Sequence, residues 1–299
     1  MIRLGILGTG AMARYYAYLF SPLHPIMVGR YSGPFLLVQD GMEYTVNPRV
    51  ISWSEATPSL FDVVILAVKW PAMPIVRTFL QQASPDLLVI SLMNGMGQEE
   101  ALIPPLTPEQ LMVGITTDAV TGYWDKQTTW PAARVSAKGQ CFVPTIPHPL
   151  WPFWQQQLQT LNIRNWTVLS PAMIRRERWI KLILNSIINP LTALANVTNG
   201  ELLKIPLWLT SQPLLNEAQT VSQALGISVG DDLPSRLIEL CQATQSNKSS
   251  MLQDVERHRP TEIDAINGYL IKMAHQYQVN VPTHRAIIQV IHSMDPHEE

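Results

Sequence analysis

A short apolar strand running straight into Gly8-Thr9-Gly10-Ala11-Met12-Ala13 constrains this 299-residue chain more than any other stretch. Met1–Leu7 reads as a buried strand rather than as a signal peptide, and the residues after Gly10 open a helix. The spacing is the G-x-G-x-x-G/A arrangement. Gly8 permits a tight turn, Gly10 lets backbone approach a pyrophosphate, and Ala13 keeps helix and strand close. The helix N-terminus then attracts the phosphates. A glycine-rich turn holding no ligand is the plainer reading, but the position after a strand and before a helix favours a dinucleotide.

The remaining N-terminal residues keep the same alternation. Ile2–Leu7, Ile26–Val28, Val63–Val68, Leu87–Leu92 and Met112–Thr116 are short and continuously apolar, as strands covered on both faces are. Helix-length segments lie at Ala11–Leu19, Ala72–Gln82 and Gln98–Leu102. Strands alternating with helices imply an α/β, Rossmann-type doubly wound parallel sheet. Between residues 117 and 152, Pro131, Pro144, Pro147, Pro149 and Pro152 break helices, and Arg134–Ala137 with Cys141–Ile146 suggest an antiparallel extension. After Ser170-Pro171 the chain turns helical, with helices expected at 172–189, 191–196, 212–225, 232–245, 248–257, 262–277 and 283–293. Two domains are expected: 1–169 binding a dinucleotide, and an all-helical 170–299 binding substrate and carrying catalysis.

Composition removes several classes of function. The net charge is −2 with no long basic run, so neither nucleic acid nor a membrane surface is an expected partner. The charged share is 15 %, low for a soluble chain, which points to extra buried surface and a homodimer. Cys141 and Cys241 stand far apart, as reduced cysteines of a cytoplasmic protein would. The histidines form no metal-type pattern, so no metal is expected.

Cofactor choice is read at the end of the second strand, where an acidic residue would hold the ribose hydroxyl of NAD. Here the chain reads Met27-Val28-Gly29-Arg30. A guanidinium suits a 2′-phosphate, and Lys69, just past the third strand, could add a second positive charge. Both could equally be solvated surface cations. Residues 1–169 are therefore expected to bind NADP(H).

The second constraint is the nearly all-apolar stretch from Arg178 to Glu201. Lys181, Asn185 and Asn189 recur every four residues and share one helix face, while Trp179, Ile180, Leu182, Ile183, Leu184, Ile187 and Ile188 fill the others. A buried helix should not display an ammonium and two amides unless something pairs with them. That partner is a small polar ligand or a polar network between helices. Pro190 should kink the helix beside Asn189 by displacing the carbonyl of Ser186. Asn94, after the fourth strand, is a ligand contact or an Asn-Gly turn residue. Glu262 stands in Thr261-Glu262-Ile263-Asp264, which also reads as a helix capping box, and Ser249-Ser250 also reads as a helix start.

Taken together, these residues resemble the ketopantoate reductase (2-dehydropantoate 2-reductase) family. The resemblance rests on Gly8–Ala13, Val68-Lys69, Asn94-Gly95-Met96-Gly97, Lys181-Leu182 with Asn185, and Ile188-Asn189-Pro190-Leu191-Thr192-Ala193. It continues through Asn199-Gly200-Glu201-Leu202, Ser249-Ser250-Met251-Leu252-Gln253-Asp254, Thr261-Glu262-Ile263-Asp264 and Ile266-Asn267-Gly268. It implies NADPH-dependent reduction of 2-dehydropantoate to (R)-pantoate, a step toward pantothenate and coenzyme A. It further implies Lys181 as general acid and Glu262 as the residue positioning substrate and lysine. Asn94, Asn185, Asn189, Asn199 and Ser250 would bind substrate, and Arg30 and Lys69 would meet the cofactor phosphate. The third fingerprint glycine of many relatives is Ala13 here. Two alternatives stay open: a reductase of another branched 2-keto acid, and a dinucleotide-binding sensor without turnover.

Overall fold

Runs of aliphatic residues form strands here because both faces of the sheet they build are covered. In the computed structural model, which describes residues 2–294, the N-terminal part contains β1 (Leu4–Leu7), α1 (Ala11–Leu19), β2 (Ile26–Val28), β3 (Phe35–Gln39), β4 (Met42–Val46), β5 (Arg49–Ile51), β6 (Val63–Leu66), α2 (Met73–Leu80), β7 (Leu88–Ser91), α3 (Gln98–Leu102), β8 (Leu111–Val113), β9 (Ile115–Thr116), β10 (Ala119–Trp124), β11 (Pro131–Ala137), β12 (Cys141–Pro144), α4 (Trp151–Thr160) and β13 (Trp166–Leu169). The C-terminal part contains α5 (Pro171–Ala195), α6 (Leu207–Ala224), α7 (Leu233–Ala243), α8 (Ser250–Val255), a π-helical turn (Asp264–Gly268), α9 (Tyr269–Gln276) and α10 (Pro282–Met294). Met1, read with the first strand, lies outside the described residues.

Six strands pair in parallel in the order β5-β2-β1-β6-β7-β8. Numbered along the chain within this sheet, that is 3-2-1-4-5-6, the doubly wound order whose reversal point lies between β1 and β6. Alternate side chains enter two separate cores. Ile6, Ile65 and Ile90 join Ala13, Tyr16 and Phe20 of α1 and Trp154 of α4. Leu7, Leu66 and Val89 join Val76 and Leu80 of α2 and Leu102 of α3. Each such fully buried side chain contributes about 1.5–3 kcal/mol, and the Phe20 and Trp154 rings lie 5.1 Å apart.

The expected antiparallel extension is realised differently. β11 pairs antiparallel with β10 and parallel with β3, whereas β12 pairs antiparallel with β9 and parallel with β13. The two segments thus enter different sheets, a four-stranded one ordered β10-β11-β3-β4 and a three-stranded one ordered β13-β12-β9. The hairpin β3–β4 was not anticipated. Its turn is Asp40-Gly41, both with positive φ (52° and 76°), the two-residue turn whose twist matches paired strands. Trp151–Thr160 is likewise a helix the sequence reading did not anticipate.

Contacts divide the chain into two units, Met1–Met93 with Gln98–Ile174, and Asn94–Gly97 with Arg175–Glu299. The second unit is helical. Ile183, Ile187 and Leu191 recur every four residues on α5 and pack with Leu214, Ala218 and Val221 of α6 and Leu237 of α7. The two helices expected at 172–189 and 191–196 are one: α5 runs through Pro190. The Ser186 carbonyl, which a proline four residues on cannot serve, accepts instead from the Asn267 side-chain amide at 2.9 Å. α6 begins at Leu207, ahead of the expected residue 212, and contains Pro213. The helix expected at 262–277 is a π turn followed by α9. Among the described residues, no helix is long and apolar enough to cross a membrane.

Candidate active site

In the first unit the glycine fingerprint sits where the strand order reverses. Gly8 follows β1 with φ +123°, and a Cβ there would lie 2.5 Å from the Ala67 carbonyl oxygen, so no other residue fits. Its N–H donates to the Val28 carbonyl at 2.8 Å. A Cβ on Gly10 would meet nothing within 4 Å. Gly10 is exposed and caps α1 without a side-chain hydrogen bond, and no acidic residue occupies the first turn of α1. The partial positive charge of that helix end is therefore not neutralised by a neighbouring carboxylate, and the backbone is open to an anion. Ala13 is fully buried.

The two candidate phosphate cations belong to the same end of the sheet. Gly29 packs so closely on Thr9 that a Cβ there would lie 2.6 Å from the threonine methyl group. Arg30 follows it, exposed, with no hydrogen bond or ion pair among the described residues. Lys69, also exposed, stands just after the Ala67 carbonyl that closes over Gly8. This set of an open backbone, a bare helix end and cations past the two strands that flank β1 fits a dinucleotide with an additional phosphate.

In the second unit α5 presents the polar row. Lys181 and Asn185 are half-buried and Asn189 is 5 % exposed. The side-chain amides of Asn185 and Asn189 make no hydrogen bond among the described residues. Neither amide is among the polar atoms sealed from solvent without a partner, so both remain open to a polar guest. Glu262 is 8 % exposed, and a carboxylate that buried needs a cation or donors beside it.

Three hydrogen bonds draw the other candidate segments toward α5. Asn267 to the Ser186 carbonyl ties the stretch beginning at Glu262 to the turn after Asn185. The Met96 N–H donates to the Ala265 carbonyl at 2.9 Å, seating Asn94–Gly97 on that same stretch. Thr192 Oγ1 lies 2.7 Å from Ser249 Oγ, bringing the start of α8 to α5. Ser249 Oγ accepts from the Leu252 N–H at 3.1 Å, so the helix-start reading describes Ser249 itself. Ser250 follows it, exposed. Asn199 is placed less directly: its amide donates to Thr244 Oγ1 at 3.0 Å and its N–H to the Asn247 carbonyl, on the loop that leads to Ser249. The buried Asn199 Oδ1 has no partner among the described residues. After Thr261-Glu262-Ile263 the chain enters the π turn at Asp264. Asp264 is exposed and receives His292 Nε2 at 3.0 Å.

Two residues of this framework carried no role in the sequence reading. Asn267 was only part of a motif, and His284 was not singled out. Pro190 held the available signal, since a proline inside a buried helix leaves a carbonyl that some distant donor must meet.

Comparison with known proteins gives the family of both parts of the chain. Residues 4–130 match the family model "Ketopantoate reductase PanE/ApbA" and residues 173–295 match "Ketopantoate reductase PanE/ApbA C terminal". The chain belongs to the ketopantoate reductase family. It is 28 % identical over 305 residues to the 2-dehydropantoate 2-reductase of Vibrio cholerae, covering 97 % of each chain. Among solved structures, a D-mandelate dehydrogenase with NADH and anilino(oxo)acetate superposes with a TM-score of 0.83 at 19 % identity, covering 98 % of each chain. A dimeric ketopantoate reductase from Staphylococcus aureus does so with a TM-score of 0.79 at 21 % identity, again covering 98 % of each chain. Ketopantoate reductases thus share both the Rossmann-type sheet and the helical C-terminal part described here.

Proposed function

We propose that this member of the ketopantoate reductase family reduces 2-dehydropantoate to (R)-pantoate with NADPH. The reading is carried by the row Lys181, Asn185, Asn189 on α5, whose two amides have no protein partner among the described residues although the helix around them is apolar. Gly8–Ala13 would hold the pyrophosphate, with Arg30 and Lys69 at the 2′-phosphate and Asn94 at the nicotinamide or the substrate. A bound nicotinamide supplies the hydride. The Lys181 ammonium stabilises the negative charge that grows on the keto oxygen as C2 is reduced, and it then gives that oxygen its proton. Solvent reprotonates the amine. Glu262 holds the ammonium in place and favours its charged form. Asn94, Asn185, Asn189, Asn199 and the Ser250 hydroxyl donate to the substrate carboxylate and hydroxyl without adding net charge.

The test is a spectrophotometric assay of NADPH consumption with 2-dehydropantoate and a panel of branched and aromatic 2-keto acids. Preferred turnover of 2-dehydropantoate supports the reading, and its absence ends it. The likeness to a D-mandelate dehydrogenase holding NADH favours a second reading, reduction of another 2-keto acid. A site with an amide reserved for the terminal hydroxyl should reject analogues lacking it, whereas the second reading predicts that an analogue is preferred. Cys141 and Cys241 are buried and in no disulfide, which supports a cytoplasmic protein. A homodimer is proposed as well, testable by light scattering.

A further inference from the structure

We propose that Asn267 and His284 are positioning residues for the keto-acid site, fixing the amide row of α5 against the segment that begins at Glu262. The inference rests on the reaction proposed above. It starts from Pro190, which leaves the Ser186 carbonyl without its helical donor. Asn267 Nδ2 donates to that carbonyl at 2.9 Å and lies 3.0 Å from His284 Nδ1. His284 Nε2 lies 3.1 Å from the Leu214 carbonyl. A carbonyl only accepts, so Nε2 carries the ring proton, and Nδ1 accepts the second N–H of Asn267. Both amide protons of Asn267 are thereby used.

The amide cannot turn over. Its Oδ1 has no partner among the described residues, and rotation would set that oxygen against a carbonyl and a ring lone pair. Asn267 and His284 are both fully buried. The Glu217 carboxylate fixes the base of the relay, accepting from the backbone N–H groups of Thr283 and His284 at 2.9 and 3.0 Å. A chain of hydrogen bonds thus runs from α6 through α10 and the π turn to α5, ending on the residue next to Asn185. The π turn places Asn267 in this chain while Glu262 opens the same stretch.

A double-variant cycle separates positioning from mere support. Pro190→Ala returns a backbone N–H to the Ser186 carbonyl, and Asn267→Ala removes the tie between α5 and the Glu262 segment. Wild type, both single variants and the pair are compared by thermal unfolding and by steady-state kinetics with 2-dehydropantoate and NADPH. In the original background Asn267→Ala should lower both the unfolding temperature and kcat/KM for the keto acid, the latter at least ~10-fold, since a displacement of about 1 Å can cost 10²-fold. In the Pro190→Ala background the loss of unfolding temperature should largely vanish while the kinetic loss persists. KM for NADPH should stay within ~2-fold of its background value throughout, because a misplaced acid and amide row act on the reacting substrate. His284→Ala should reproduce the kinetic signature.

If kcat/KM recovers together with the unfolding temperature, the tie is only structural and the proposal fails. It also fails if Asn267→Ala leaves the keto-acid kinetics unchanged. Should Asn267→Ala alone not fold, the pair compared with Pro190→Ala carries the test. A wild-type chain that turns over no 2-keto acid overturns the proposed reaction instead, a result distinct from active enzyme with indifferent variants.

Discussion

The backbone N–H of Met96 donates to the carbonyl of Ala265 at 2.9 Å. This bond helps seat the Asn94–Gly97 loop, which follows a strand of the parallel sheet, within the helical unit. Gly95 makes the approach feasible: its φ is +77°, and a Cβ would lie 2.6 Å from the Ala265 oxygen and 2.7 Å from the Ala265 methyl group. Gly95→Ala should therefore lose about 1–3 kcal/mol for the backbone conformation alone, with a further loss from the clash. It should also raise KM for the keto acid by displacing Asn94. Denaturant unfolding and steady-state kinetics measure the two effects, and an unchanged midpoint would show that the loop gives way freely.

Lys181→Ala should lower kcat by at least ~10²-fold in a folded enzyme, as removal of a general acid or oxyanion partner does. Circular dichroism confirms the fold and stopped-time assays give kcat. An undiminished kcat would move the proton donor to another residue.

Arg30→Ala should weaken NADPH far more than NADH. The side chain is exposed and has no hydrogen-bond partner among the described residues, so its removal should disturb little besides a bound 2′-phosphate. Fluorescence titration with both nucleotides is the check. Equal losses would make Arg30 an ordinary surface charge.

Acid should weaken the fold through His284. Burial lowers its pKa, opposed by its hydrogen bond to the Leu214 carbonyl and by the Glu217 carboxylate. In the unfolded chain a histidine titrates near about pH 6.5. Below that pH the unfolded chain binds a proton that the native state resists. The stability associated with His284 is thus complete above about pH 6.5 and drains away as pH falls toward the lower native value. Burial shifts His148 in the same direction. Unfolding temperatures measured across this range should fall on acidification, and less steeply in His284→Gln. An equally steep fall in the variant would place the acid sensitivity elsewhere.

Much of the fold was legible because local physics wrote it. The apolar runs at Ile26–Val28 and Val63–Val68, the glycines at 8 and 10 and the apolar faces around Lys181, Asn185 and Asn189 each need only neighbours in sequence to be interpreted. The Asp40-Gly41 turn is equally local, two residues with positive φ between paired strands. Other features were not written locally. Arg134–Ala137 and Cys141–Ile146 are both strand-like, yet which sheet each joins depends on partners such as Phe35–Gln39 and Trp166–Leu169.

The candidate site divides in the same way. Sequence spacing alone placed Lys181, Asn185 and Asn189 on one face, because a helix repeats every 3.6 residues whatever surrounds it. It also showed that Pro190 must orphan the Ser186 carbonyl, since that follows from covalent geometry. Only the tertiary structure decided who answers: Asn267, held by His284, from a segment some eighty residues away. The reason is that a buried carbonyl specifies a donor but not its origin, and any chain segment that packing brings within 3 Å can supply one.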